Sequence, residues 1–216
     1  MHRVTTTFLL VMVASLLLGD QAEGHLVAQA REMLITVGPE DVEVRTRLFL
    51  HEGPEAARLR AAADLDGDGL VSNGAEQDGL SLRLKALATS ELSLTLNETA
   101  LPLALDYQRL ALDGGPGVEP GGGIHFEVVT VSRGVLGPGS HRLRIEDAPA
   151  GGRGVVALQL RLGAGVRLTA HHPSGASTAL GSPTSGVRHG GFGSGGGALT
   201  LDLLCIAGEA RRPAAD

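Results

Sequence analysis

The chain reads as a mainly β protein, an antiparallel β-sandwich that carries an EF-hand-like helix–loop–helix insertion. Three observations predict this class. Short runs in which every second residue is apolar recur along the chain, and Gly, Pro, Asp and Asn punctuate them. One early stretch breaks that rhythm with Ala, Leu and Arg at helical spacing. Inside that stretch lies Asp64-Leu65-Asp66-Gly67-Asp68-Gly69-Leu70-Val71, which has the front half of a calcium loop.

The elements follow in order. Met33, Ile35 and Val37 alternate, and Val42, Val44, Thr46, Leu48 and Leu50 alternate after them. Gly38-Pro39-Glu40-Asp41 between the two runs is a turn sequence, so the pair predicts a hairpin. Pro54 suits a first helical position and opens a helix to Ala63. A second helix is expected from Ala75 to Ala88, with Leu80, Leu84 and Leu87 on one face. Leu80, Leu82 and Leu84 also alternate, so a strand competes there. Strand patterns then return at Leu92–Leu96, Leu101–Leu105, Ile124–Val128, Leu143–Ile145, Val156–Leu162 and Val166–Ala170.

The chemistry concentrates in the loop. Three carboxylates at alternate positions can converge on one cation, and Leu70 supplies a backbone carbonyl. An all-oxygen donor set suits Ca²⁺ better than softer metals. The twelfth loop position, where a bidentate Glu belongs, holds Ala75, and Glu76 follows one place later. Asn73 and Glu76 stand three apart, as in a capping box, so cap and glutamate have shifted together by one residue. The expected metal ligands are Asp64, Asp66, Asp68, Leu70 and Glu76, with Ser72 or Asn73 reaching the ion through water. The affinity expected is weak, on the order of 10⁻⁴–10⁻³ M.

The ends suggest export. Arg3 precedes an apolar run from Phe8 to Leu18, shorter than the roughly 20 residues that span a bilayer. Ala22-Glu23-Gly24 is a small-x-small cleavage site, so residues 1–24 read as a signal peptide and the mature chain would start at His25, in the periplasm or outside the cell. No transmembrane helix is expected in the mature chain. Residues 25–170 form the β-rich domain, with the insertion at 54–88. Residues 171–197, rich in Gly, Ser and His, read as a flexible linker. Residues 198–216 are a short apolar segment and a basic tail. That segment fits either a last strand, with Thr200, Asp202 and Leu204 opposing Leu201, Leu203 and Cys205, or a remnant sorting tail.

The net charge of −6 and the lack of a basic patch argue against nucleic acid as a partner. Cys205 is the only cysteine, which excludes an intrachain disulfide, and it reads as a small core residue. No nucleophile elbow, H-E-x-x-H or C-x-x-C occurs, and no enzyme is expected. His25 as a free N-terminus, with His171 and His172, offers nitrogen ligands for Ni²⁺ or Cu²⁺, the alternative metal reading.

The order of parts resembles the extracytoplasmic domain fused to bacterial permeases of the nickel/cobalt and hydrogenase/urease accessory type. The parts are His25 after the signal, the hairpin Val37 to Val44, and Ala63 to Ser72 with its Asp/Gly loop. Ala75-Glu76 and the late His141-Arg142-Leu143-Arg144-Ile145-Glu146-Asp147 complete them. The resemblance implies an accessory role beside a membrane permease or another protein partner. It makes Glu76 the candidate for the family's glutamate ligand. The family runs on into transmembrane helices that are not found here, so transport is not carried over.

Overall fold

The structure is a computed structural model that describes residues 29–89, 92–113, 122–134, 136–148, 156–184 and 186–206. Residues 1–24, expected to be a signal peptide, and His25 lie outside the described residues, as does Arg211-Arg212.

Among the described residues there are ten strands and two helices. β1 (Gln29–Val37) and β2 (Asp41–Leu50) form the expected hairpin, closed by the Gly38 N–H donating to the Asp41 carbonyl at 2.9 Å. Helices α1 (Pro54–Ala63) and α2 (Gly74–Thr89) flank the aspartate loop. In α2, Leu80 and Leu84 are fully buried while Leu82 is 68% exposed, so the helical period prevails over the competing alternation. β3 (Leu92–Leu96), β4 (Thr99–Ala100), β5 (Ala104–Leu112), β6 (Ile124–Arg133), β7 (Gly139–Asp147), β8 (Val156–Leu162), β9 (Val166–Thr178) and β10 (Val187–Cys205) follow.

All ten strands belong to one hydrogen-bonded sheet, ordered β4-β3-β7-β10-β8-β1-β2-β6-β5, with β9 paired to β10. β8 and β7 bond to successive stretches of β10, Val187–Phe192 and Gly197–Cys205, while β9 runs beside both. β10 therefore turns a corner, and the sheet curls into two facing halves. This is the sandwich reduced to one continuous ladder. It is also not purely antiparallel, because β1 pairs β8 in parallel. Their connection is remote in sequence, so nothing local constrains them to run in opposite directions.

Two cores result. The larger lies between the halves and contains Met33, Ile35, Val42, Val44, Leu143, Leu158, Phe192 and Leu201. The smaller lies where α1 and α2 cover the rest of the inner face, with Leu48, Leu50, Val71, Leu80, Leu84, Ile124 and Phe126. β2 contributes to both, so the helices and the facing half share one sheet surface.

The segment 171–197 departs from its expected role. It holds the end of β9 and the first part of β10 rather than a flexible linker. Its glycines serve close approach of backbones: a Cβ on Gly191 would stand 2.8 Å from the Val156 carbonyl oxygen, and one on Gly197 would stand 2.8 Å from the Ser177 nitrogen. The pairing jumps between Phe192 and Gly197, where the corner is made. Main-chain bonds and two apolar anchors, Leu180 and Phe192, offset the ordering entropy that composition alone suggested was prohibitive. Residues 198–205 complete β10 as a last strand. Leu199, Leu201, Leu203 and Cys205 point inward, and burial raises the Cys205 thiol pKa. β5 is longer than the Leu101–Leu105 pattern suggested and shifted along the chain, since Leu101–Leu103 are not strand and the ladder starts at Ala104.

Arg31 of β1 and Asp147 of β7 form a buried ion pair between the two halves. Removing one partner from such a pair leaves an uncompensated charge in the interior. Asp147→Ala is expected to lower unfolding stability by about 3–5 kcal/mol in urea titration, and the added change Arg31→Met is expected to recover most of it. A loss below about 1 kcal/mol for the single variant would show that this pair does not hold the halves together.

Candidate functional site

The loop begins where α1 stops. Asp64 is the C-cap of α1, already extended at φ −65° and ψ 107°. Its carboxylate accepts hydrogen bonds from the Gly67 N–H at 2.7 Å and the Gly69 N–H at 2.8 Å. Both glycines are left-handed, at φ 76° and 83°, so the chain turns twice within five residues. The Asp68 N–H donates to Asp66, and the Leu70 N–H to Asp68. These turns place one carboxylate oxygen each from Asp64, Asp66 and Asp68 within 4.8 Å of one another. Among the described residues, no other group of three such side chains is as close. Val71, 1% exposed, then anchors the loop in the smaller core, as the motif requires.

Glu76 takes a different place from the aspartates. It is fully buried, and its carboxylate spans the loop from beginning to end. One oxygen accepts the Leu65 N–H at 3.1 Å; the other accepts the Ser72 N–H at 2.9 Å and the Asn73 N–H at 3.2 Å. The Glu76 N–H in turn donates to the Asn73 side-chain oxygen at 3.1 Å, which completes the capping box expected from the spacing. Ser72 and Asn73 thus engage Glu76, and Glu76 is not one of the three clustered carboxylates. Asp78 stands farther along α2.

The electrostatics divide the four acids. Hydrogen bonds from Ser72 and Leu65 outweigh burial at Glu76 and hold its pKa below the ordinary value. At Asp66 the Asp68 N–H lowers the pKa. Burial and the charges of Asp68, Glu76 and Asp64 together outweigh that bond, and its pKa is raised. Asp66 therefore stands among like charges, while Glu76 is held by backbone donors.

Arg60 was legible in the sequence only as part of a helix-forming run. In the fold it is 2% exposed, and its guanidinium donates to the Gly123 carbonyl at 3.0 Å beside Asp113. Burial lowers its pKa, partly countered by Asp113. Its position fastens the helix that enters the loop to the β5–β6 end of the sheet.

His171 and His172 lie on β9. His172 meets Asp202 at 3.1 Å, a carboxylate that Arg142 also holds at 2.9 Å, and together these partners depress the Asp202 pKa. Neither histidine belongs to a three-ligand cluster among the described residues. No helix among them is long and apolar enough to cross a membrane.

No family model matches the chain, and no curated protein matches it. Among solved structures, the Mu homology domain of Danio rerio Fcho1 with a bound Eps15 peptide is similar over 82% of this chain and 79% of that one. Identity is 10% and the TM-score 0.23, too low to bear on function.

Glu76 supplies a pH signature. Its folded-state pKa is depressed, so its stabilisation is present above the ordinary value of 4.5 and is lost as pH falls below it. The difference in stability between the parent and Glu76→Gln is therefore expected to shrink on acidification below that value in denaturant titrations. Asn73→Ala, which removes the cap, should cost about 1 kcal/mol at neutral pH. A difference between parent and Glu76→Gln that does not change with pH would remove the ionised carboxylate from this role.

Proposed function

We propose that the chain is an exported, non-enzymatic interaction or accessory module whose helix–loop–helix is clamped by one Ca²⁺. The observation that carries this reading is the convergence of Asp64, Asp66 and Asp68, with the raised Asp66 pKa that such crowding brings. A hard divalent cation neutralises that repulsion through oxygen ligands. Leu70 offers its carbonyl. Glu76 closes the loop by its backbone bonds, and as a ligand it would have to exchange some of them for the ion. The ion's role is structural: it ties α1 to α2 above the smaller core and so orders one end of the sheet. Export rests on Arg3 and the Phe8–Leu18 run, and N-terminal sequencing of the exported protein is expected to begin at His25, the start that the alternative Ni²⁺ or Cu²⁺ chelate also requires.

Calorimetric titration is expected to give one Ca²⁺ per chain at a dissociation constant on the order of 10⁻⁴–10⁻³ M. At calcium tenfold above that constant, the stabilisation is about 1.4 kcal/mol, a rise of roughly 3–5 °C in Tm that a chelator reverses. Asp66→Asn with Asp68→Asn should abolish both heat and shift. Affinity should fall with pH through the raised Asp66 pKa, because the ion needs the carboxylate deprotonated. An unchanged Tm across millimolar calcium would end this reading.

A further inference from the structure

The strand order ends at β4 on one side and at β5 on the other, and no ladder joins these two ends. The chain nevertheless crosses from one to the other in three residues, Leu101-Pro102-Leu103. Such a crossing spans at most about 14 Å, so the two ends of the sheet lie close together. The Leu101 N–H donates to the Leu94 carbonyl at 2.9 Å and ties the start of the crossing to β3. Pro102 has no N–H with which to continue that pairing. The curled sheet therefore stops short of closing, and a cleft of about 330 Å³ remains at the seam. The C-terminal part of α2 contributes Lys85 and Thr89 to it.

The walls of this cleft are mostly leucine. Leu92, Leu101 and Leu103 pack on the larger core yet stay only partly buried, and Leu105 is 45% exposed. Thr130 of β6 lines it from a buried position, and its hydroxyl reaches the Val44 carbonyl only at 3.5 Å. Among the described residues that line the cleft, Lys85 carries the only charge. No carboxylate among the described residues pairs with its ammonium group. Apolar walls with a few polar groups and one cation fit an aliphatic chain that ends in an anion. The stem of Lys85 can lie along the apolar wall while its ammonium group meets that anion at the mouth.

We infer that this cleft binds an alkyl carboxylate of about eight to ten carbons, with its chain against Leu92, Leu101, Leu103 and Leu105 and its carboxylate on Lys85. The volume sets the length. At the roughly 30 Å³ that one water takes in the liquid, 330 Å³ holds about eleven groups of that size. A longer chain would leave its remaining methylenes in water. The aspartate loop adjoins the other end of α2, so this binding stands or falls independently of calcium.

Calorimetric titration of the full chain with decanoate below its micelle concentration, in the presence of a chelator, is expected to show one site per chain. Affinity should rise by up to about fourfold with each methylene from hexanoate to decanoate and then level off at hexadecanoate. Lys85→Gln should weaken decanoate about three- to fivefold and leave decanol unchanged. Leu103→Asp puts a carboxylate in the wall and should abolish binding while circular dichroism shows the variant folded. No heat with any of these carboxylates overturns the inference. So does binding that a folded Leu103→Asp variant retains, which would place the ligand elsewhere on the chain. A ratio of decanoate to decanol affinity that Lys85→Gln does not change removes the carboxylate from the proposal and overturns it as stated.

Discussion

Main-chain pairing along β10 is the constraint on which the remaining architecture depends. This strand bonds to β8 with its first stretch and to β7 with its second, and β9 lies beside both. Because it turns at its glycines, one ladder can fold back over itself and enclose Met33, Ile35, Leu143 and Leu201. The chain has no Trp, one Tyr and four Phe, so its core is built mainly from aliphatic side chains. Aliphatic burial is favourable but non-directional, and it does not choose between alternative pairings. The hydrogen-bond ladder and the Arg31–Asp147 pair supply the direction.

The helix–loop–helix is an annex to this frame with its own small core. Three ties join it to the sheet: Val71 beneath the loop, Leu80 and Leu84 beneath α2, and Arg60 reaching the Gly123 carbonyl from α1. The loop itself is built from two unlike sets of acids. Glu76 binds backbone N–H groups and is stable in its charge. Asp66, beside the charges of Asp68, Glu76 and Asp64, has its pKa raised.

Much of the local structure was legible in the residues. The β1–β2 hairpin, α1 from Pro54 to Ala63, and the Asn73–Glu76 capping box each follow from short-range chemistry: turn formers, helix formers, and a cap three residues from its partner. The aspartate convergence is equally local, since alternate positions and two left-handed glycines suffice to make it. The Gly-rich segment was misread for a matching reason. Its stabilisation comes from strands remote in sequence, and composition reports only what a segment can bury by itself.

Alone, the sequence determined which short stretches are strands or helices and where three aspartates converge, because those outcomes depend on neighbours within a few residues. Only the tertiary structure decided that β1 and β8 run parallel, that Gly191 and Gly197 mark a corner rather than a tether, and that Glu76 is spent on the loop backbone. Each of these depends on partners far apart along the chain, and period and composition do not encode which of several compatible strands will meet.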